Sequence, residues 1–326
     1  MTRAFIFPGQ GSQFIGMGKD LAAAFPDAKE IFEEVDEALE QKLSALMFDG
    51  DANDLNMTEN TQPALMAVSM AVVNVLRKQG GVKLDEVCAF MAGHSLGEYS
   101  ALTAAGAFEI QDTAKLLKKR GQAMQKAVPA GVGAMAAILG MDLPDVQNIT
   151  DKSMAQANNE AGKPDGKELV VQSANDNSVG QVVVSGHKNA VQIAVDMATE
   201  AGAKKAVILP VSAPFHCSLM APAAQDMSFA LADTTIRPPF VPVVANVIAE
   251  GVSEPSEIRR LLIDQITGMV RWRESVLWMK GEGIEEVVEL GAGKVLSGLV
   301  KRIDREIATS SVGTPEQVEA LIEKLS

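Results

Sequence analysis

Only two cysteines, Cys88 and Cys217, occur in the 326 residues, with no CxxC spacing and no nearby histidine pair. A disulfide framework and a zinc site both need more ligands than that, so reduced thiols and no bound metal are expected. Histidine is almost as scarce: His94, His187 and His216 are the three imidazoles available to any chemistry. Aromatic residues make up 4% of the chain, which suits helices packed on a buried sheet better than an all-β sandwich. Positive charge is also short, with 29 Lys and Arg against 42 Asp and Glu, a net charge of −13. A nucleic-acid partner, which needs a basic footprint, is therefore not expected, nor is attachment to an anionic membrane surface. The opening Ala4–Phe7 run is broken by Pro8 before it could serve as a signal segment, and no uncharged stretch reads as a spanning helix. A soluble, cytoplasmic protein is the expectation.

The residues present alternate between strand and helix patterns. Ala4 to Phe7 reads as a strand, followed by a glycine-rich turn and a helix from about Met17. Helical periodicity covers Ala28 to Leu46 and Pro63 to Arg77, and Glu86 to Ala92 suits a buried parallel strand before a helix near Leu96. From Val132 to Leu209 the order becomes strand, helix (143–155), strand (169–173), strand, helix, strand, the ferredoxin-like succession. The polar segment Asn158 to Lys167 reads as an exposed loop within it. Pro255 to Thr267, Trp272 to Lys280 and a terminal stretch from Pro315, capped by Thr314, are helical, and Val241–Ala245 and Glu286–Leu290 are strands. The predicted fold class is α/β: a large α/β-hydrolase-like domain with a parallel sheet, residues 1–127 and 209–326, and an inserted ferredoxin-like small domain, residues 128–208.

Gly93-His94-Ser95-Leu96-Gly97 matches the G-x-S-x-G turn and lies where an apolar strand meets a helix. There the serine hydroxyl stands at the carboxyl edge of the sheet, beside the free N–H groups of a helix start. The alternative is a glycine-rich turn with an ordinary N-cap serine. A nucleophilic serine needs a base. His94 lies next to it on the turn and His187 falls at a strand-to-helix junction of the inserted segment. His216, after a strand ending at Val211 and before a helix, is the better candidate. Arg120 falls in the middle of a helical face made by Thr113, Leu116, Leu117, Ala123, Met124 and Ala127. A guanidinium pointing into an apolar region requires an anion, either an internal carboxylate or that of a substrate. Gln265 lies similarly within the stripe of Ile258, Leu261, Leu262 and Ile266. Gly9-Gln10-Gly11 and Gly291-Ala292-Gly293 lack the third glycine of a dinucleotide fingerprint, and Lys294 lacks the rest of a P-loop. No nucleotide cofactor is expected.

Taken in order, these residues resemble the family of malonyl-CoA:acyl carrier protein transacylases of dissociated bacterial fatty-acid synthesis. The resemblance runs from Phe7-Pro8-Gly9-Gln10-Gly11-Ser12-Gln13 through Thr61-Gln62-Pro63-Ala64, the Ser95 motif with Glu98, Arg120-Gly121 and Gly133-Ala134-Met135. It continues in Ser178-Val179-Gly180-Gln181, Ala213-Pro214-Phe215-His216 and the segment Gly291 to Gly298. The resemblance implies that Ser95 is the nucleophile, His216 its base, and the backbone N–H groups of Gln10 and Leu96 an oxyanion hole. It further implies that Arg120 holds the malonyl carboxylate, that the backbone carbonyl of Gln265 orients the histidine, and that Asn175 and Gln62 lie in or near the pocket. Phe215 matches the malonyl-selective rather than the methylmalonyl-selective pattern. The implied partners are a coenzyme A thioester and acyl carrier protein, and the implied enzyme is a monomer without a cofactor. The acidic carrier would dock among Lys115, Lys118, Lys119, Lys126, Lys204 and Lys205, which could equally be solvated faces. The stretch from 158 to 167 is longer than usual for the family, and Asp176 and Val179 stand where Phe and Pro are common. A serine thioesterase or esterase, or a non-catalytic carrier-docking module, are the alternatives.

Overall fold

The computed structural model describes residues 2–161, 168–211 and 213–325. β1 (Arg3–Phe7) is followed by α1 (Lys19–Ala24), α2 (Pro26–Leu39), α3 (Leu43–Asp49), α4 (Ala52–Asn56), α5 (Thr58–Lys78) and α6 (Leu84–Val87). Then come β2 (Phe90–Gly93), α7 (Leu96–Ala104) and α8 (Ile110–Lys126). The next stretch holds β3 (Gly133–Leu139), α9 (Leu143–Ala161), β4 (Val171–Ser178), β5 (Gln181–His187), α10 (Lys188–Glu200) and β6 (Lys205–Ile208). A 3₁₀ turn (Ser218–Met220) opens the last part, with α11 (Ala221–Ala232), β7 (Val243–Ala245), β8 (Glu250–Val252), α12 (Pro255–Thr267) and α13 (Trp272–Gly281). β9 (Glu286–Leu290), α14 (Val295–Ile303), β10 (Ala308–Val312) and α15 (Pro315–Leu325) complete the described chain.

Six strands form one sheet in the order β10-β9-β1-β2-β7-β8, parallel except for the antiparallel edge strand β8. β1 explains the layering. Phe5 and Phe7 point into one apolar cluster while Ala4 and Ile6 point into another, so helices cover both faces of the sheet. The larger cluster is organised by α5, which is buried on nearly every side from Thr58 to Leu76.

The ferredoxin-like succession is present as a separate antiparallel sheet, ordered β4-β5-β3-β6, with α9 and α10 packed on it around Ile138, Val182, Val184 and Val191. β4 also touches the rest of the molecule: Asp176 N–H donates to the Val270 carbonyl and Val270 N–H to that of Ala174.

Several boundaries differ from the sequence reading. The helical pattern over 28–46 is two helices, because Glu40 takes a left-handed backbone with φ of 49° and Asp36 then caps the next helix by accepting from Ser44 N–H. The run 86–92 starts as the last turn of α6, and only Phe90 to Gly93 is strand. α5 begins at Thr58 rather than Pro63, the proline being accommodated inside the helix. α9 continues to Ala161, so the first part of the expected 158–167 loop is helical and residues 162–167 lie outside the described residues. The strand expected at 169–173 runs instead from Val171 to Ser178. α4, β8 and β10 had no legible pattern; β10 is a largely half-buried, polar edge strand. Among the described residues, no helix is long and apolar enough to cross a membrane.

Candidate active site

Three neighbouring parallel strands deliver the site from their carboxyl ends: β1 leads to Gln10, β2 to Ser95 and β7 to Asn246. The turn at Ser95 is tight. A Cβ on Gly93 would lie 1.9 Å from the Gly97 carbonyl oxygen, and one on Gly97 would lie 2.3 Å from that of Phe7. Between those glycines Ser95 adopts φ of 54° and ψ of −108°, a backbone that a non-glycine residue keeps only when its surroundings impose it. Asn246 imposes it. Its Oδ1 accepts from Ser95 N–H at 2.7 Å and its Nδ2 donates to the Gly93 carbonyl at 2.7 Å, bracing both sides of the turn. Ser95 occupies the N-cap position of α7, yet its hydroxyl makes no cap bond. The hydroxyl faces His216 instead, with Oγ 2.8 Å from Nε2.

His216 does not arrive from a parallel strand. β6 ends at Ile208, on the edge of the second sheet, and the following segment crosses back to place His216 against Ser95 with φ of 57°. Its Nδ1 lies 2.9 Å from the Gln265 carbonyl oxygen in the last turn of α12. A carbonyl can only accept, so Nδ1 carries the proton and Nε2 is left free to take one from Ser95. Burial, with the charge of Arg120 second, pushes the imidazole pKa down to about 3, so the imidazole rests neutral.

Arg120 is 1% exposed, and no carboxylate among the described residues is paired with it. Nη1 donates to Gln62 Oε1 at 2.8 Å, while Nη2 donates to Ser95 Oγ at 3.1 Å and to Gln265 Oε1 at 2.9 Å. The guanidinium carbon lies 5.7 Å from the Tyr99 ring centroid. These are neutral partners around a cation: they orient it, and the carboxylate of Glu98 acts on its charge only from behind the Gln265 amide. Burial pulls its pKa below the usual value, but a guanidinium remains protonated at neutral pH.

Ser95, His216 and Arg120 line a cleft of about 720 Å³ between the two sheets. Gln10, Leu96, Gln62, Asn175 and Phe215 line it too. Leu96 is the first residue of α7, so its N–H is one of the helix's free donors. Gln265 is the exception among the expected site residues. Fully buried behind Arg120, it does not line the cleft, and both its carbonyl and its amide act on other site residues. His94 lines the cleft but turns away from Ser95, with Nε2 2.8 Å from Asn177 Oδ1 and its ring against Trp272. His187 is half-buried, and its Nδ1 accepts from Val170 N–H. Of the surface lysines, Lys118 is engaged with Gln41 and Asn60, whereas Lys115, Lys119, Lys126, Lys204 and Lys205 are exposed.

Two residues had not been singled out: Asn246 and Glu98. Glu98 is 3% exposed on a helix buried along its whole length, and burial pushes its pKa up to about 7. An acid in an apolar run is the same signal that marked Arg120.

Residues 4–308 match the family model described as an acyl transferase domain. A malonyl CoA-acyl carrier protein transacylase of Bacillus subtilis is 48% identical over 322 residues, which cover 99% of this chain and 96% of that one. One from Escherichia coli K12 is 46% identical over 320 residues, 98% of each. The crystal structure of an acyl-carrier-protein-S-malonyltransferase from Bartonella henselae matches with a TM-score of 0.93 at 50% identity, over 100% of this chain and 99% of that one. A type II PKS acyl-carrier protein in complex with its malonyl-transacylase matches at a TM-score of 0.92 and 39% identity, over 99% of this chain and 100% of the matched one.

Proposed function

The chain belongs to the acyl transferase domain family, and on that footing we propose that it moves a malonyl group from coenzyme A to the phosphopantetheine thiol of acyl carrier protein through a malonyl ester on Ser95. The observation that carries the malonyl reading is Arg120: a buried guanidinium, in an ion pair with no carboxylate among the described residues, 3.1 Å from the nucleophile's Oγ. An acyl group ending in a carboxylate gives that cation an anion in direct contact; an acetyl group does not.

The steps follow from the hydrogen bonds. Neutral His216 takes the Ser95 proton through Nε2 as Oγ attacks the thioester carbon. Negative charge gathers on the carbonyl oxygen, where the N–H groups of Leu96 and Gln10 are its donors. The carbon–sulfur bond breaks, the imidazolium gives its proton to the departing thiolate, and the ester remains on Ser95. The carrier thiol then attacks that ester, giving its proton to His216, and Ser95 leaves by taking it back. Through its carbonyl, Gln265 keeps the imidazole turned and stabilises the charge it gains. Gln62 and Gln265 hold Arg120, and Asn175 lines the same cleft. Residues 128–208 form an inserted unit whose strand β4 and following segments complete the cleft. The exposed lysines of α8, with Lys204 and Lys205, offer positive charge to an acidic carrier.

Intact mass after mixing with malonyl-CoA tests this, beside Ser95→Ala. One malonyl adduct, absent in the variant and discharged by acyl carrier protein, is expected. No adduct, with free malonate accumulating, would make the protein a thioesterase instead.

A further inference from the structure

Glu98 sits in the first turn of α7, where a glutamate ordinarily reaches back to the N-cap N–H. Here that N–H, on Ser95, is already taken by Asn246. The carboxylate turns inward, and its Oε2 accepts from Asn246 N–H at 2.9 Å and from Gln265 Nε2 at 2.8 Å. The other face of the same amide, Oε1, accepts from Arg120 Nη2. A primary amide has nearly the same shape when turned over, so its acceptors and donors alone decide which way it sits. Turned over, Gln265 would set its NH₂ against the guanidinium and its oxygen against Glu98, two mismatched contacts in a buried site. The Ser95 carbonyl, at 3.0 Å, supports the observed orientation too, but Glu98 Oε2, at 2.8 Å, is the nearer acceptor.

We infer that Glu98 is a positioning residue that works through the Gln265 amide to hold Arg120 ready for a carboxylate, and so sets the preference for carboxylate-ended acyl groups without touching them. The intervening amide also matters. A carboxylate bonded directly to Arg120 would occupy the place of the substrate's own; one residue removed, it orients the cation and leaves its inner face open. The inference rests on Arg120 being the acyl anchor, as proposed above.

The test compares the full chain with Glu98→Ala and Glu98→Gln on two donors. Malonyl-CoA reads Arg120 as well; p-nitrophenyl acetate, a neutral ester, reads Ser95, His216 and the oxyanion donors without a carboxylate on Arg120. In Glu98→Ala, kcat/KM for malonyl-CoA should fall about 10- to 100-fold, mainly through KM, while the neutral ester changes less than about threefold. Glu98→Gln keeps an oxygen for both donors and should hold malonyl-CoA within about fivefold. If Glu98→Ala is not recovered folded, Glu98→Met, of similar length but with only a weak sulfur acceptor, carries the same expectation. Parallel loss on both donors, or a Gln variant as poor as the Ala or Met variant, overturns the inference. A wild-type protein that reacts with the neutral ester but not with malonyl-CoA refutes the malonyl reading itself, before any variant is compared.

Discussion

Replacing Asn246 by alanine should unfasten the turn that carries Ser95. The side chain makes two 2.7 Å hydrogen bonds, to Ser95 N–H and to the Gly93 carbonyl, at a residue that is fully buried. Truncation leaves one donor and one acceptor without partners at about 1–3 kcal/mol each, so about 4 kcal/mol of stability should go. At roughly 2 °C per kcal/mol for a chain of this size, the midpoint of thermal unfolding should drop by about 8 °C. Ser95 would also lose the partner that holds its φ of 54°. A displacement of the nucleophile approaching 1 Å costs on the order of 100-fold in acylation rate. Asn246→Asp sharpens the test. Its carboxylate still accepts from Ser95 N–H, but only the protonated form can donate to the Gly93 carbonyl, and Glu98 lies next to it. The folded-state pKa of that aspartate is therefore raised, and its stabilising contribution is present at low pH and lost as pH rises. Unfolding curves and acyl-serine formation, each at pH 5 and pH 8, decide the matter. An alanine variant melting within 1–2 °C of wild type, or an aspartate variant indifferent to pH, would refute the bracing role.

Arg120→Ala should lower kcat/KM for malonyl-CoA by about 100- to 1,000-fold while reaction with a neutral ester falls far less. Equal losses on both would remove Arg120 from acyl recognition. His216 supplies a pH test: its folded pKa of about 3 lies below the ordinary 6.5, so the unfolded chain takes a proton that the folded protein refuses. That contribution is whole above pH 6.5 and is lost as pH falls towards 3. Asn substitution at 216 should therefore cost about 2–3 kcal/mol less at pH 4.5 than at pH 7.5 by urea unfolding. The same cost at both would contradict a neutral buried base.

The parts of the site that could be read from sequence are those with a local signature. The glycines around Ser95 declare a turn that no larger residue could make, and Arg120 declares itself by interrupting an apolar face. Pro255 to Thr267 and Glu286 to Leu290 are legible end to end because periodicity and flanking breakers agree. Asn246 and Glu98 carry half of such a signal: each is a polar residue in an apolar run, but what it meets lies far along the chain. Asn246 N–H finds Glu98 across 148 positions, and Gln265 finds it across 167. The route of His216 is not legible for a related reason: the direction from which a loop enters a cleft depends on which sheet the preceding strand joins. Edge strands such as β8 and β10, short or only partly buried, left no alternation to detect.

The partner of His216 is a main-chain oxygen at the end of α12. No codon change at position 265 can delete a carbonyl, so the hydrogen bond that orients His216 is shielded from the commonest kind of damage in a way that one to a side-chain aspartate never is. The vulnerability moves to whatever disturbs the path of the helix end, such as a proline in its last turn or a cavity beneath Ile266. Loss of function through the histidine's partner should thus come from residues that never touch the histidine.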